Sequence, residues 1–184
     1  VSAVQFAFDA NGNVKGVSTP SGVALPLNSP LTGIKGAIIG DSIGENCTTT
    51  TTNTLESWVH WGIAFHGGDI VVEPANNYAV TGTTSTQALA TVPSVISSGA
   101  SICFINTGIN DPGNSITLAT SLSNIKKICS KLLGSGVIPV IRLISPRSNA
   151  SWGAVSTGRQ QSLAFNEEVK AYYGNPGSGV FVFD

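Results

Sequence analysis

Residues 36–47 read Gly-Ala-Ile-Ile-Gly-Asp-Ser-Ile-Gly-Glu-Asn-Cys and change from apolar to polar at their centre. The apolar run Ala37–Ile39 is typical of a buried strand. Gly40 ends that run, and Asp41 and Ser42 follow it directly. Because open α/β sheets bind ligands beyond the carboxyl ends of their strands, a hydroxyl at this position is a candidate functional group. The simpler alternative is a strand followed by an Asp or Ser helix cap.

From Lys35 onward, short apolar runs alternate with amphipathic segments, which predicts strands alternating with helices. The strands are expected at residues 37–39, 69–73, 101–106, 137–144 and 180–183. The helices are expected at residues 54–65, 84–96, 115–133 and 158–173, the second of them interrupted or ended near Pro93. This order predicts an α/β fold, a three-layer α/β/α sandwich around a five-stranded parallel sheet.

The N-terminal part of the chain differs in character from the rest. Two alternating segments, residues 4–8 and 14–17, flank the turn sequence Asp9–Asn13, which contains Asn-Gly. This pattern predicts a β-hairpin, which is marginally stable alone and should pack on the domain edge or on a second copy. We therefore expect a hairpin leader and linker over residues 1–34 and one folded domain over residues 35–184.

Composition excludes several classes of protein. The 184 residues are enough for one domain with a sizeable core, and a net charge of -1 gives no basic face for nucleic acid. No apolar run reaches membrane-spanning length. Cys103 and Cys129 lie in apolar segments and are expected to be small buried residues. No Cys or His cluster indicates a metal, and we expect no cofactor.

Three loops that follow predicted strands carry the polar residues of interest. They contain Gly40-Asp41-Ser42-Ile43, then Gly82 within residues 77–84, then Gly108-Ile109-Asn110-Asp111. In a parallel sheet these loops meet at one edge, so a hydroxyl, a glycine amide and an Asn amide are expected to converge there. Acyl transfer needs such a set, a nucleophile together with donors for the oxyanion. Asp111 is expected to orient its loop and Asp41 to brace its turn.

These blocks resemble, in order and spacing, the first three sequence blocks of the SGNH (GDSL-type) hydrolases. The resemblance implies a flavodoxin-like SGNH fold and a serine esterase without a cofactor. It also implies that Ser42 is the nucleophile, with the Ser42 N–H, the Gly82 N–H and the Asn110 side-chain amide forming the oxyanion hole.

The general base of that family is a His in a late Asp-x-x-His block, which residues 1–184 do not contain. The two His residues present, His60 and His66, fall on or just after the first predicted helix and are expected to be structural or surface residues. The chain has no Met and begins at Val1. We therefore expect it to be a fragment whose missing block is supplied by a segment beyond Asp184 or by a second chain.

The expected substrate is an O-acyl ester, with acetyl on a carbohydrate as the first expectation. The leader, with Phe6-Ala7-Phe8-Asp9 and Gly12-Asn13-Val14, resembles segments that precede enzymatic domains in phage tail fibres and spikes. An extracellular or virion-associated location follows from that resemblance, and possible oligomerisation follows from the expected packing of the hairpin on a second copy. Two alternatives stay open: a glycan- or partner-binding SGNH module without its base, and a lipase or thioesterase on the same fold.

Overall fold

The computed structural model describes residues 5–8, 14–18, 24–25, 34–47, 58–59, 70–145 and 156–183. The chain divides into two compact units, Val1–Thr32 and Gly33–Asp184. The division expected after Ile34 falls within the first strand of the second unit.

The N-terminal unit is a small antiparallel sheet. Its strands are β1 (Gln5–Phe8), β2 (Val14–Ser18) and β3 (Ala24–Leu25), with β2 paired to both neighbours. The predicted hairpin corresponds to β1 and β2. The third strand was not predicted, because two residues are too few to show an alternating pattern. The packing of this hairpin on the domain edge or on a second copy stays a prediction.

The second unit is built on a parallel sheet of five strands. These are β4 (Ile34–Gly40), β5 (Ile70–Asn77), β6 (Ile102–Asn106), β7 (Ile138–Arg142) and β8 (Phe181–Phe183). Their order is β5-β4-β6-β7-β8, and every neighbouring pair is parallel. The predicted α/β fold with a five-stranded parallel sheet is therefore confirmed, although β4 and β5 are longer than the sequence pattern indicates.

The described helices are α1 (Ser42–Glu45), α2 (Ser85–Ser97), α3 (Leu118–Gly134) and α4 (Thr157–Tyr173). Short 3-10 turns span Pro112–Asn114 and Pro176–Ser178. The helix predicted at residues 54–65 lies mostly outside the described residues. No helix in the described parts of the chain is long and apolar enough to cross a membrane.

Pro93 does not interrupt α2. It lies inside the helix, which continues to Ser97 and buries Ala88, Val92 and Val95 along one face. Packing of this face against the sheet outweighs the hydrogen bond that proline cannot donate, so local propensity was a poor guide here.

Buried apolar clusters lie on both faces of the sheet. Successive residues of β4 belong to different clusters. Ala37 and Ile39 belong to the larger cluster, which includes residues of α2, α3 and α4, whereas Ile38 belongs to the smaller one. The smaller cluster also contains Val59 and Phe104. This alternation follows from the period of two in a strand, and burial on both faces explains the near-continuous apolar character of β4.

Candidate active site

The strand order places a topological switch point at the carboxyl end of β4. The chain leaves β4 toward β5 on one side and returns to β6 on the other. Ligands of open α/β sheets bind in the crevice that such a reversal creates. Asp41 and Ser42 follow β4, and residues 107–110 follow β6, so two of the three sequence blocks flank this crevice.

The turn after β4 depends on a glycine. Gly40 has a φ of +140°, and a Cβ atom there would lie 1.7 Å from the carbonyl oxygen of Asn106. The Asp41 N–H donates to that same oxygen at 3.0 Å. The backbones of β4 and β6 thus meet so closely that any side chain at position 40 would separate them.

Asp41, and not Ser42, is the N-cap of the helix that follows β4. Asp41 is fully buried and caps α1, its Oδ1 accepting the Ile43 N–H at 3.0 Å. Ser42 is the first residue of α1 and is half-buried. Its hydroxyl makes no hydrogen bond to another described residue. The capping interpretation therefore holds for Asp41, as does its expected bracing of the turn.

The loop after β5 is tied to α1. Asn77 Nδ2 donates to the carbonyl oxygens of Gly44 at 3.0 Å and Glu45 at 3.1 Å. The Glu45 carboxylate accepts both the N–H of Thr81, at 2.7 Å, and its hydroxyl. Gly82 follows with a φ of +80°, and a Cβ there would meet nothing within 4 Å. Glycine is therefore favoured at position 82 by backbone conformation and not by lack of space.

The loop after β6 closes on the loop after β5. Asn110 is half-buried, and its Nδ2 donates to the Thr83 carbonyl oxygen at 3.0 Å. Because Thr83 follows Gly82 and Thr81 binds Glu45 of α1, hydrogen bonds connect all three loops. Ser42, Gly82 and Asn110 accordingly belong to three linked loops at one edge of the sheet.

Asp111, next to Asn110, holds the scaffold. It is fully buried, and its Oδ1 accepts the Ser85 N–H at the start of α2 at 2.8 Å. Its Oδ2 accepts the hydroxyl of Ser121 on α3 at 2.5 Å. Asn124 extends the set by donating to the Ser85 hydroxyl at 2.9 Å. These contacts agree with the expectation that Asp111 orients its loop.

A chain of hydrogen-bonded polar side chains crosses the same edge and was not predicted from the sequence. Asn106 Nδ2 donates to Asp41 Oδ1 at 2.7 Å, and Asn106 Oδ1 accepts from Arg142 Nη1 at 3.0 Å. Arg142 Nη2 donates to the Ser145 hydroxyl at 2.6 Å. Their positions in the sequence could have identified them, because Asn106 and Arg142 are the polar residues that end otherwise apolar strands at the carboxyl edge.

Two thiols are poor candidates for a nucleophile. Cys103 and Cys129 are buried, as expected. Burial raises the pKa of Cys129 to about 12 and that of Cys103 well above its usual range. Thiols that stay protonated at neutral pH are unreactive, so the half-buried hydroxyl of Ser42 is the better candidate. His60 and His66 lie outside the described residues.

Residues 38–184 match the GDSL-like Lipase/Acylhydrolase family. The chain belongs to this family. The match covers most of the second unit and confirms the family suggested by the three sequence blocks. No sequence among the curated proteins matches the chain significantly.

Solved structures of GDSL-like and SGNH proteins share its fold. A member of the lipolytic G-D-S-L family from Veillonella parvula is 16% identical, with a TM-score of 0.63 over 82% of this chain and 76% of that one. The esterase EstA from Pseudoalteromonas, in a structure inhibited by monoethylphosphonate, is 15% identical, with a TM-score of 0.56 over 82% and 77%. AlinE4, an SGNH-hydrolase family esterase, is 16% identical, with a TM-score of 0.60 over 82% and 75%.

Proposed function

We propose that this GDSL-like protein is a serine esterase that hydrolyses O-acyl esters, with O-acetyl groups on a carbohydrate as the expected substrate. The observation that carries the proposal is the linkage of three loops at the switch point. The loop of Ser42 is hydrogen-bonded to the loop of Gly82, and that loop is hydrogen-bonded to Asn110. These links support the proposal because they join the loops that carry Ser42, Gly82 and Asn110 at the edge where an α/β sheet binds its ligand.

In the proposed reaction, Ser42 Oγ attacks the ester carbonyl while its proton passes to a general base. The carbonyl oxygen becomes an oxyanion, which accepts hydrogen bonds from the Ser42 N–H, the Gly82 N–H and Asn110 Nδ2. Collapse of the tetrahedral intermediate breaks the ester bond, and the base returns its proton to the departing alcohol. Water then attacks the acyl-serine while the base takes its proton; the bond from the acyl carbon to Ser42 Oγ breaks, the base returns the proton to Oγ, and the carboxylic acid is released.

The bond from Asn110 to Thr83 supports a role for Asn110 as an oxyanion donor. An Asn amide that already donates to a backbone carbonyl is held in one orientation. A donor fixed before the reaction needs no reorganisation as negative charge develops, which is the source of its catalytic effect. The exposed position of Gly82 and its positive φ likewise leave its backbone N–H unobstructed by a side chain.

The proposal assigns the general base to a His of an Asp-x-x-His block carried by a C-terminal segment or a second chain. A serine hydroxyl is a poor nucleophile at neutral pH without such a base. Esterase turnover by residues 1–184 should therefore be residual and should rise when the parent protein or the missing piece is supplied. Equal turnover would place the base within residues 1–184, and His66→Ala followed by His60→Ala would then identify it.

A phosphonate ester with a p-nitrophenol leaving group tests the nucleophile directly. The parent protein, in which the proposed base is present, should release one equivalent of p-nitrophenol, and peptide mass spectrometry should locate the adduct on Ser42. Ser42→Ala should abolish both labelling and aryl acetate hydrolysis, while the control Ser130→Ala, an exposed serine of α3, should retain them. Normal hydrolysis by Ser42→Ala would refute the assignment.

Loss of one oxyanion donor should lower kcat without abolishing it. Asn110→Ala is expected to lower kcat by a factor on the order of 10² to 10³. The control Asn175→Ala, at an exposed position before a 3-10 turn, should leave kcat unchanged. An unchanged kcat in Asn110→Ala would remove Asn110 from the oxyanion hole.

The substrate class is tested by comparing hydrolysis rates for esters of different acyl length and by assaying acetate release from a polysaccharide. The proposal expects p-nitrophenyl acetate to be preferred over p-nitrophenyl decanoate, and acetate to be released from an O-acetylated polysaccharide. Preference for the decanoate would indicate a lipase or thioesterase instead. Polysaccharide binding without any release of acetate by the parent protein would indicate a binding module.

A further inference from the structure

We propose that Arg142 and Asn106 are positioning residues that hold the Ser42 turn through the Asp41 carboxylate. The inference rests on the proposed function for its catalytic consequence, although not for its structural part. It assigns a role to three side chains that converge from β4, β6 and β7 at the carboxyl edge. None of the three is assigned to contact the ester.

Asn106 contacts the Ser42 turn through both its backbone and its side chain. Its carbonyl oxygen accepts the Asp41 N–H at 3.0 Å, and its Nδ2 donates to Asp41 Oδ1 at 2.7 Å. The same Oδ1 accepts the N–H of Ile43 at 3.0 Å. Ser42 therefore lies between two residues, Asp41 and Ile43, that are both held by hydrogen bonds. These bonds fix the backbone on either side of Ser42 and so orient its N–H, which is a proposed oxyanion donor.

Arg142 and Asp41 together determine which way the Asn106 amide faces. A guanidinium can only donate hydrogen bonds, and an ionised carboxylate can only accept them. The Asn106 amide lies between the two, with Oδ1 at 3.0 Å from Arg142 Nη1 and Nδ2 at 2.7 Å from Asp41. Rotating the amide by half a turn would place oxygen against carboxylate and N–H against guanidinium, so Asp41 disfavours that arrangement and Arg142 disfavours it further.

The surroundings strengthen this arrangement. Asp41 is fully buried and Asn106 is 4% exposed, so water competes little for either group. Hydrogen bonds in chains polarise one another at low dielectric, which makes Asn106 Nδ2 a stronger donor when Oδ1 faces a cation. Arg142 is itself held by the hydrogen bond from its Nη2 to the Ser145 hydroxyl, and its Cζ lies 5.7 Å from the centroid of the Trp58 ring.

The test compares Arg142→Met, which removes the donors but keeps the chain length, with Arg142→Lys, which keeps a cationic donor. Two quantities are measured in the full chain: native-state amide hydrogen exchange at Ile43 by NMR, and the rate constant for phosphonylation of Ser42. Arg142→Met should speed Ile43 exchange by roughly 10-fold, the effect of losing one charge-assisted hydrogen bond, with exchange at Ile105 in β6 unchanged. Arg142→Lys should recover most of this protection.

The chemical arm separates positioning from general destabilisation. The number of reactive sites is counted from the amount of p-nitrophenol released. For each reactive site, the rate constant for phosphonylation in Arg142→Met should fall by about 10-fold or more. The KM for an aryl acetate should change by less than about 3-fold. A purely structural residue would lower the number of reactive sites but not their rate constant. An unchanged rate constant in Arg142→Met would overturn the positioning role.

A double-mutant cycle tests whether Arg142 acts through Asn106. The double variant of Asn106→Ala and Arg142→Met should exchange at Ile43 no faster than Asn106→Ala alone, because the two residues form one path. Additive effects would contradict the proposal. In wild-type protein the Asn106 side-chain amide protons should exchange more slowly than those of exposed Asn114, and equal rates would overturn the proposal without any variant.

The structural and functional claims fail separately. If the phosphonate does not label Ser42 in the parent protein, the proposed esterase function fails, and the exchange measurements still decide the hydrogen-bond path. If Ser42 is labelled but Ile43 exchange does not respond to Arg142→Met, the esterase assignment stands and the positioning role of Arg142 is refuted.

Discussion

The turn after β4, residues 40–47, and the turn after β6, residues 107–115, are alike in composition but are held differently. Each begins near a glycine with positive φ and contains a fully buried Asp. Asp41 accepts from Ile43 within its own turn and from Asn106 on the neighbouring strand. Asp111 instead accepts from Ser85 and Ser121, which belong to α2 and α3.

Asp41 and Asp111 are equally buried, but the hydrogen-bond donors around them belong to different elements, so the two carboxylates stabilise different parts of the structure. A buried carboxylate is tolerated only where donors offset the loss of water, and it fixes whatever supplies them. Asp41 fixes the backbone around Ser42, whereas Asp111 fixes the ends of two helices to the sheet. Loss of Asp41 should therefore slow the proposed chemistry more than loss of Asp111, whose main effect should be on stability.

The largest expected effect comes from the glycines that open the two turns. Gly40→Ala would place Cβ 1.7 Å from a backbone oxygen that cannot move without separating β4 from β6. We expect it to lower the free energy of unfolding by about 4 kcal/mol or more, or to prevent folding. Gly108→Ala is crowded only by the flexible Ile144 Cδ1 at 3.2 Å, with Phe165 at ordinary contact distance from 3.6 Å, and should lose about 1–3 kcal/mol. Urea denaturation measures both, and equal losses would contradict the difference in packing.

The second prediction separates the two carboxylates. Asp111→Ala should lower the free energy of unfolding by about 2–3 kcal/mol, because the Ser85 N–H and the Ser121 hydroxyl lose a buried acceptor. Its phosphonylation rate per reactive site should stay within about 3-fold of wild type, whereas Asp41→Ala should slow that rate by about 10-fold or more. Should Asp111→Ala slow labelling as much as Asp41→Ala, the division between the two turns would be abandoned.

The third prediction applies the same contrast to two asparagines. Asn77 donates to the carbonyls of Gly44 and Glu45 at the end of α1, whereas Asn124 donates to the hydroxyls of Ser85 and Thr86. Each change to Ala should lower the free energy of unfolding by about 1–2 kcal/mol. Only Asn77→Ala should also slow phosphonylation of Ser42. Thermal unfolding and labelling together check this, and slower labelling in Asn124→Ala would count against it.

The smallest expected effect belongs to Thr107, the first residue of the second turn. It is 4% exposed, and its hydroxyl has no hydrogen-bond partner among the described residues. Thr107→Val removes that buried hydroxyl with little change of shape and should shift the free energy of unfolding by no more than about 0.5 kcal/mol, or stabilise the protein. A loss comparable to that of Asp111→Ala would reveal a partner for this hydroxyl.

Elements that depend on local periodicity were predicted well. The five strands, α3 and α4 were all expected, because alternating or helical spacing is visible within a few residues. The short α1 was expected only under the helix-cap alternative, and an uninterrupted α2 through Pro93 was not expected. In both cases tertiary contacts stabilise a helix that its own sequence favours weakly.

The sequence by itself determined the family and the candidate residues Ser42, Gly82 and Asn110, because motif spacing along the chain carries that information. Whether those three residues perform the proposed chemistry stays a prediction. Only the tertiary structure decided that Asp41 accepts a hydrogen bond from Asn106, 65 residues away, and that Asn106 accepts one from Arg142, 36 residues further on. The strand order β5-β4-β6-β7-β8 places these residues side by side, and no local pattern in the chain encodes which strands become neighbours.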